Sequence, residues 1–342
     1  MNKQVAINGF GRIGRAFFRH AWRREEFTIA AINDVADTPT LAHLLKYDSA
    51  HGRFPGEVKV EGDRLIVDGQ AIEVLHRADP QGLPWREKNI WLALEATGCN
   101  KNFDFLQKHR TAGAERVLLS ANVAADDQDR VRTFVMGVNE GAYDPARDSI
   151  LSNASCTTNG LAPVLRLLDE TYGVQGANFT TVHAYTQGQN LIDGPCADLR
   201  RARAAATNII PTSTGATDGL AVLFPHLRGK IGGLSLRVPI LNVSLIDLSV
   251  VLKTYVRAED VNAQLRAAAQ GDLRGILSTV SDPVVSGDMN GSTASATVDE
   301  ALIQVVAADG SGWLLKLMLW YDNEIGYVSR LIELINHMLR KE

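Results

Sequence analysis

The short apolar run Gln4-Val5-Ala6-Ile7-Asn8 passes directly into Gly9-Phe10-Gly11-Arg12-Ile13-Gly14, and a helical pattern follows through Ala16, Phe17, His20 and Ala21. No other feature of the chain restricts its fold so tightly. In a strand, G-x-G-x-x-G, helix unit the first glycine makes the turn and the second lets the backbone approach a pyrophosphate. The third lets the helix lie close against the strand. A second apolar run at 27–32 ends at Asn33-Asp34. Asp34 stands about twenty residues beyond the last glycine, where a carboxylate accepts hydrogen bonds from an adenosine ribose and repels a 2′-phosphate. The spacing therefore predicts a dinucleotide site built for NAD rather than NADP.

The same alternation continues along the first half. A helix is expected over 37–46 and short hairpin strands over 54–72, turning at Gly62-Asp63 and Asp68-Gly69. Further strands are expected at 90–98, 115–121, 133–138 and 149–151. Strands alternating with helices make an α/β class with a Rossmann-type, doubly wound parallel sheet the economical architecture. Ligands bind such a sheet beyond the carboxyl ends of its strands, the edge where the glycine loop, Asp34, Ser120 and Cys156 would open. The second half reads as α+β with an antiparallel sheet: strands at 178–182, 233–238, 244–255 and 313–319, helices at 217–224 and 259–269. In 234–238 the two leucines and Val238 share one face, which puts Ser235 and Arg237 on the other, non-core face. An amphipathic helix over 325–339 ends the pattern.

Composition excludes more than it selects. At 342 residues the chain fits two domains, and 45% hydrophobic with 22% charged residues is ordinary for a soluble globular protein. The net charge of −4 gives no electrostatic case for nucleic acid or membrane partners. There is no early apolar leader and no long apolar run, so the cytoplasm is the expected location. The cysteines Cys99, Cys156 and Cys196 form neither an even disulfide set nor a metal-binding spacing, and reduced thiols and no metal are expected.

Chemistry is expected at Cys156. It sits in Ser152-Asn153-Ala154-Ser155-Cys156-Thr157-Thr158-Asn159-Gly160, just before an apolar helical pattern. Ser155 and the threonines suit a helix N-terminus, and a thiol there meets N–H groups and a dipole that favour the thiolate. An inert core cysteine would not have polar neighbours on both sides. The alternating run at 178–182 delivers His183 at its end, and a cysteine with a histidine is the minimal kit for a nucleophilic thiol.

Taken in order, these motifs resemble the phosphorylating glyceraldehyde-3-phosphate dehydrogenase family over essentially the whole chain. The resemblance is carried by Asn8 to Arg15, by the block around Cys156, and by Thr181-Val182-His183-Ala184-Tyr185-Thr186. Asp198-Leu199-Arg200-Arg201-Ala202-Arg203, Pro211-Thr212-Ser213-Thr214-Gly215, Arg237-Val238-Pro239 and Trp320-Tyr321-Asp322-Asn323-Glu324 complete it. It implies an NAD-binding domain over 1–155, with the terminal segment 321–342 packed back on it, and a catalytic domain over 156–320. Cys156 is implied as the nucleophile and His183 as its base. Gly9, Gly11, Arg12, Ile13, Gly14, Asp34, Ser120 and Asn323 are implied as cofactor contacts. Thr186, Arg201 and Arg237 are implied to hold the phosphate of a sugar-phosphate aldehyde. Ser155, Thr157, Thr214 and Gly215 are implied to hold inorganic phosphate, and a homotetramer is implied as the assembly.

The chain departs from the family's usual pattern at Gly160, where a second cysteine is common, and at Asn122, where a proline is usual. Ala78-Asp79-Pro80 lacks the usual arginine, with Arg77 one place away; Gly194-Pro195-Cys196 lies in a loop that can influence cofactor preference, and Asp218 replaces a common lysine. These are rim positions. Erythrose-4-phosphate dehydrogenase shares the fold and the catalytic pair and is the nearest rival; Thr186 and Thr214-Gly215 favour the phosphorylating enzyme over it. A cofactor-free cysteine hydrolase would have no use for the glycine fingerprint and Asp34. A pure binding protein would have no use for the Cys/His pair.

Overall fold

A computed structural model describes residues 2–308 and 312–342. They form two compact units: Met1–Phe134 with Glu140–Ala154 and Leu331–Glu342, and Val135–Asn139 with Ser155–Arg330.

In the first unit, nine strands among the described residues make one sheet. Lys3–Asn8 lies between Phe27–Asn33 and Ile90–Glu95, all parallel, and Arg116–Leu119, Ile150–Ser152 and Arg132–Thr133 continue the parallel run outward. Ile90–Glu95 is buried at every position, as expected of a central strand covered on both faces. The other edge turns antiparallel in the hairpins of Val58–Val60, Arg64–Val67 and Gln70–Leu75. The sheet expected from the sequence is therefore present. The strand expected at 133–138 is not: pairing stops at Thr133, Asn139 Oδ1 accepts from the Val135 N–H at 2.8 Å, and Gly137 has φ of 76°. A side-chain acceptor and a left-handed glycine divert the backbone there, although its residues are apolar enough for a strand.

Two glycines of the fingerprint are fixed by contact. A Cβ on Gly14 would lie 2.0 Å from the Gly9 carbonyl oxygen, and one on Gly9, whose φ is 94°, would lie 2.6 Å from the Thr97 backbone nitrogen. Beneath them lies a buried polar cluster. Glu95 is fully enclosed and accepts from Asn8 Nδ2 at 2.5 Å and from the Thr97 N–H at 2.9 Å. Trp85 Nε1 donates to His109 Nδ1 at 3.0 Å, so the His109 proton is on Nε2, 3.1 Å from Glu95. Asn33 Nδ2 in turn donates to Asn8 Oδ1 at 2.6 Å. One carboxyl group thus ties together the ends of three neighbouring strands immediately before the glycine loop, and its full burial is tolerated because its oxygens are met by donors.

In the second unit the sheet order is Ile210–Thr212, Ile231–Val238, Val174–Ala184, Ser244–Leu252, Gly312–Tyr321, Ala296–Asp299 and Leu277–Val280, with Gln304–Ala308 also pairing Gly312–Tyr321. It is mixed rather than purely antiparallel. Val174–Ala184 runs parallel to Ile231–Val238, and Leu277–Val280 parallel to Ala296–Asp299. The first of these parallel pairs is possible because a long connection containing the helix Ala216–Leu223 separates the two strands. The expected facing of 234–238 is also inverted: Ser235 is 1% exposed while Leu234 is 44% exposed. Ser235 lies on the covered face because the register of this strand sets it between Thr181 and Thr212 of its two neighbours.

The terminal helix Ile325–Lys341 contributes to both units. Its start is pinned by Asp322 Oδ1, which accepts from the N–H groups of Glu324 and Ile325. Its end is held in the first unit by Glu342, whose carboxylate accepts from Trp91 Nε1 at 2.6 Å and pairs with Arg116 at 2.9 Å.

Gly14→Ala should be among the most damaging single-methyl changes in the first unit. A Cβ 2.0 Å from a backbone oxygen forces the helix away from the strand, so overpacking of about 1–3 kcal/mol is expected, with at least about tenfold weaker NAD binding. Thermal unfolding and NAD titration of the variant measure both; wild-type values would show that the glycine is not needed for close packing.

Candidate active site

Cys156 opens the helix Cys156–Tyr172. The turn before it uses Ala154 at φ of 56°, a left-handed conformation that costs an alanine about 1 kcal/mol. Ser155, extended at φ −102° and ψ 165°, caps the helix, its Oγ accepting from the Thr158 N–H at 3.1 Å. Gly173 at φ of 69° ends it. The thiol therefore sits at the positive end of a seventeen-residue helix.

His183 comes from the strand Val174–Ala184 and is 5% exposed. Its Nε2 lies 3.6 Å from Cys156 Sγ, so the thiol and base read from the sequence do meet. The register of the neighbouring strand sets Arg237 opposite His183, and Arg237 Nη1 lies 2.7 Å from His183 Nδ1. Nδ1 is also 2.7 Å from the Ala184 carbonyl oxygen. On the other side Ser244 Oγ accepts from the Ala184 N–H at 3.1 Å and donates to Asn323 Oδ1 at 2.8 Å. Tyr321 packs edge-on against His183 at 6.0 Å between ring centres; its hydroxyl bridges Thr181 at 2.7 Å and Thr157 at 3.0 Å. That hydroxyl joins the cysteine helix to the histidine strand.

The electrostatics differ from the sequence expectation. Burial, with the Arg237 guanidinium second, pulls His183 down to about 3, so the imidazole is neutral. Part of Cys156 reaches solvent, yet enough protein surrounds the sulfur that burial dominates and pushes the thiol up. The opposing pull of Arg237 and the hydrogen bonds at Thr157 do not overcome it. The sequence suggested a thiol depressed by the helix dipole and His183; in the folded chain burial outweighs both and raises it. Burial also lowers Arg237 and raises Tyr321.

The residues expected to hold phosphate fall into groups. Thr186 and Arg201 meet at Gly188, whose added Cβ would lie 3.1 Å from Arg201 Nη1 and 3.5 Å from Thr186 Oγ1. Gln189 Oε1 accepts from the Thr186 N–H at 2.9 Å, and Arg201 pairs with Asp198 at 3.3 Å. The buried polar atoms without a hydrogen-bond partner among the described residues include Arg237 Nε, Gln189 Nε2, Ser235 Oγ and Thr212 Oγ1. Ser235 pairs with Thr212 and Thr181 across the sheet, on the face that carries His183 and Arg237. Thr214 and Gly215 begin the helix Ala216–Leu223, where Thr214 Oγ1 accepts from the Ala216 N–H at 3.2 Å. Ser155 is occupied as a cap and the Thr157 hydroxyl is bound to Tyr321, so the backbone N–H groups beside Cys156, more than these two hydroxyls, are the donors on offer. Gly160 is filled in tightly, its added Cβ 3.1 Å from Ser295 O.

The cofactor candidates of the first unit keep their places around the glycine loop. Asp34 accepts from the Phe10 N–H at 2.7 Å and the Ala36 N–H at 3.0 Å, and Arg12 pairs with Asp48 at 2.6 Å. Gly11 has open space where a Cβ would be and Ile13 is half-buried; the helix Arg12–Ala21 begins with no side-chain cap. An uncapped helix N-terminus behind a glycine that leaves its backbone bare fits a pyrophosphate. Ser120, half-buried, follows Arg116–Leu119 and donates its N–H to Glu95 O. Asn323 lies in the second unit, its amide oriented by Ser244. Sequence reasoning missed Tyr321, Ser244, Gln189 and the Ala184 carbonyl. Tyr321 lay inside a quoted motif, but nothing in one sequence reveals what its hydroxyl reaches. Among the described residues no helix is long and apolar enough to cross a membrane.

A family model described as glyceraldehyde 3-phosphate dehydrogenase, NAD binding domain, matches residues 3–102, and one described as glyceraldehyde 3-phosphate dehydrogenase, C-terminal domain, matches residues 155–323. The chain is 46% identical over 341 residues to glyceraldehyde-3-phosphate dehydrogenase of Geobacillus stearothermophilus, covering 100% of this chain and 99% of that one. It is 48% identical over 338 residues to glyceraldehyde-3-phosphate dehydrogenase 2 of Bacillus subtilis (strain 168), covering 99% and 97%.

Two measurements follow from the geometry. Held at about 3 when folded against an ordinary 6.5, His183 takes up a proton on unfolding between those values. Its contribution to stability is complete above about pH 6.5 and is lost as pH falls, at about 1 kcal/mol per pH unit. Denaturant unfolding between about pH 6 and pH 5 should therefore be steeper in pH for wild type than for His183→Asn; equal slopes would show that the imidazole is not buried in its neutral form. Separately, Tyr321→Phe leaves the Thr157 and Thr181 hydroxyls without their shared partner and should cost about 1–3 kcal/mol, measured by thermal unfolding. A neutral effect would mean that the bridge does not hold the helix to the strand.

Proposed function

The chain belongs to the glyceraldehyde-3-phosphate dehydrogenase family and is an NAD-dependent dehydrogenase, and from that premise we propose that it oxidises D-glyceraldehyde 3-phosphate with inorganic phosphate to 1,3-bisphosphoglycerate. The observation that carries the proposal is the thiol–imidazole pair at 3.6 Å beside the half-buried Arg237, whose buried Nε has no partner among the described residues. Cofactor binding is assigned to 1–155 with the terminal segment 321–342, and chemistry to 156–320.

In this reading the Cys156 sulfur attacks the aldehyde carbon and its proton passes to His183 Nε2 and on to the developing alkoxide, giving a thiohemiacetal. NAD supplies the hydride acceptor. His183 then takes the hydroxyl proton as the C–H electron pair leaves carbon, and the product on sulfur is a thioester. Phosphate attacks the thioester carbonyl, the acyl group moves to phosphate oxygen, and the thiolate recovers its proton from the imidazolium. Backbone N–H groups at the start of the Cys156 helix are placed to stabilise oxyanions. Arg237, Arg201 and Thr186 hold the substrate phosphate, with guanidinium forks suited to it. Ser155, Thr157, Thr214 and Gly215 line the site of the attacking phosphate. Gly9, Gly11, Arg12, Ile13, Gly14, Asp34, Ser120 and Asn323 bind the cofactor. A homotetramer in the cytoplasm completes the reading. It is supported by large apolar side chains left exposed in one loop, Leu191 at 67%, Ile192 at 75% and Leu199 at 81%.

NADH formation from glyceraldehyde 3-phosphate and from erythrose 4-phosphate, each with and without inorganic phosphate, tests the substrate. A phosphate-dependent preference for the triose is expected, and a preference for the tetrose without phosphate dependence would transfer the assignment to the rival. Arg237→Ala loses a charge-assisted bond, so kcat/KM for the phosphorylated aldehyde should fall by roughly ten- to hundredfold, and much less for unphosphorylated glyceraldehyde. Thr214→Ala should raise the phosphate requirement and leave the single-turnover burst of NADH nearly unchanged. A lost burst would show that Thr214 serves acylation instead.

A further inference from the structure

Three parallel strands of the first unit, Ile90–Glu95, Lys3–Asn8 and Phe27–Asn33, end in buried polar residues. Their register sets Asn8 opposite Glu95 on one side and opposite Asn33 on the other. The three side chains form one hydrogen-bonded row. Asn8 Nδ2 donates to Glu95 Oε2 at 2.5 Å, and Asn33 Nδ2 donates to Asn8 Oδ1 at 2.6 Å. Asn33 closes one end of the row: its Oδ1 accepts from the Arg77 N–H at 2.9 Å, and its Nδ2 reaches the Arg77 carbonyl oxygen at 2.9 Å. Glu95 closes the other end, its Oε1 accepting from the Thr97 N–H at 2.9 Å and from the Thr97 hydroxyl.

A carboxamide has an accepting end and a donating end, so each amide in the row is turned by the groups beside it. Both ends of the row demand the same sense. The Glu95 oxygen draws the Asn8 NH2 group toward itself and leaves the Asn8 oxygen facing Asn33. That oxygen takes the Asn33 NH2 group, which leaves the Asn33 oxygen to Arg77, whose backbone N–H can only donate. Reversing either amide alone would bring two donors or two acceptors together. The row also reaches a fourth strand, Gln70–Leu75, because Leu75 pairs with Asn33 and Arg77 follows two residues later.

The row holds the loops on either side of the glycine turn. Thr97 abuts Gly9 so closely that a Cβ on the glycine would lie 2.6 Å from the Thr97 nitrogen. On the Arg77 side, Leu75 O accepts from the Asp34 N–H at 3.0 Å, and the Asp34 carboxyl accepts from the Phe10 N–H at 2.7 Å. We propose that Glu95 is a positioning residue for the cofactor: through the amides of Asn8 and Asn33 it fixes Thr97 and Arg77 about Gly9, and so sets the spacing of the loops that receive the dinucleotide. Glu95 acts without touching the cofactor. This rests on the preceding assignment of NAD to Gly9, Gly11 and Asp34.

The test exploits the polarity of the row. Glu95→Gln puts an NH2 group where an oxygen stood, so a donor faces either Thr97 or Asn8. Asn33→Asp puts an acceptor on each side of the Asn8 amide. Together the two changes reverse the row: the glutamine donates to Asn8 Oδ1, Asn8 Nδ2 donates to the aspartate, and the Arg77 N–H keeps an acceptor. His109 Nε2, 3.5 Å from Asn8 Nδ2, then meets the Asn8 oxygen in its place. Positions 33 and 95 are two strands apart, about 9–10 Å, a separation at which independent changes add. NAD affinity by titration calorimetry should fall about tenfold in each single variant, the scale of one broken buried hydrogen bond, and return to within about threefold of wild type in the pair. A pair weakened by the sum of the singles, about a hundredfold, overturns the proposal, as do single variants that bind NAD like wild type. With Asn8→Ala added, the rescue should vanish; rescue that survives loss of the Asn8 amide reflects net charge and overturns the row.

Hydrogen exchange needs no variant. In wild type without cofactor, the Thr97 and Arg77 amides should exchange as slowly as those of Ile90–Glu95, because Glu95 and Asn33 hold them. Exchange at the rate of an open loop at either position overturns the proposal whether or not the variants fold. NADH formation from the triose phosphate is scored apart. A wild type that binds NAD without that activity refutes the preceding substrate reading alone, and full activity with additive variants refutes the row alone.

Discussion

The register between the parallel strands Val174–Ala184 and Ile231–Val238 is the constraint on which the site depends. It sets Arg237 beside His183 and Ser235 beside Thr181, on one face of the sheet. Because side chains alternate with a period of two, a slip of a single residue would carry His183 or Arg237 to the opposite face and separate base from guanidinium. That register is locked from both sides. Ile231–Val238 pairs outward with Ile210–Thr212, and Val174–Ala184 pairs inward with Ser244–Leu252 over most of its length. The Tyr321 hydroxyl then fixes the helix carrying Cys156 to Thr181 of the same strand. Thiol, base and anion-binding side chain are placed by backbone ladders and one phenol.

Burial decides what those groups are. His183 is lowered because burial and the Arg237 guanidinium both disfavour its charged form, and the Cys156 thiol is raised because burial outweighs Arg237 and the hydrogen bonds at Thr157. Arg237 nonetheless stays in a largely covered position and directs its Nη1 at the imidazole. A site that combines a neutral base with a nearby guanidinium stores an electrostatic imbalance that an arriving anion can relieve, and this is where substrate chemistry and protein electrostatics meet. The first unit handles its buried polar groups differently: Glu95 is met by Asn8, Thr97 and His109 and underlies the glycine loop. One cluster is satisfied and structural. The other is left with unpartnered donors, and unsatisfied buried groups are expected where ligands bind.

Sequence alone determined the strand, glycine loop and helix of the first unit, Asp34 at its strand end, Cys156 at a helix start and His183 at a strand end. Each of these rests on local physics: turn glycines, capping residues and hydrophobic period act over a few neighbouring positions and can be read from them. Tertiary structure decided the rest. The mixed pairing of the second sheet, the end of pairing at Thr133 and the inward facing of Ser235 and Arg237 depend on partners far away in the chain. Leu234 and Leu236 looked like the core side of their strand, because a hydrophobic pattern shows which faces differ but not which one a helix will cover. The same limit applied to ionisation. A cysteine at a helix N-terminus favours a thiolate by local rules, but desolvation is a sum over everything packed around the sulfur, and only the folded chain sets that sum.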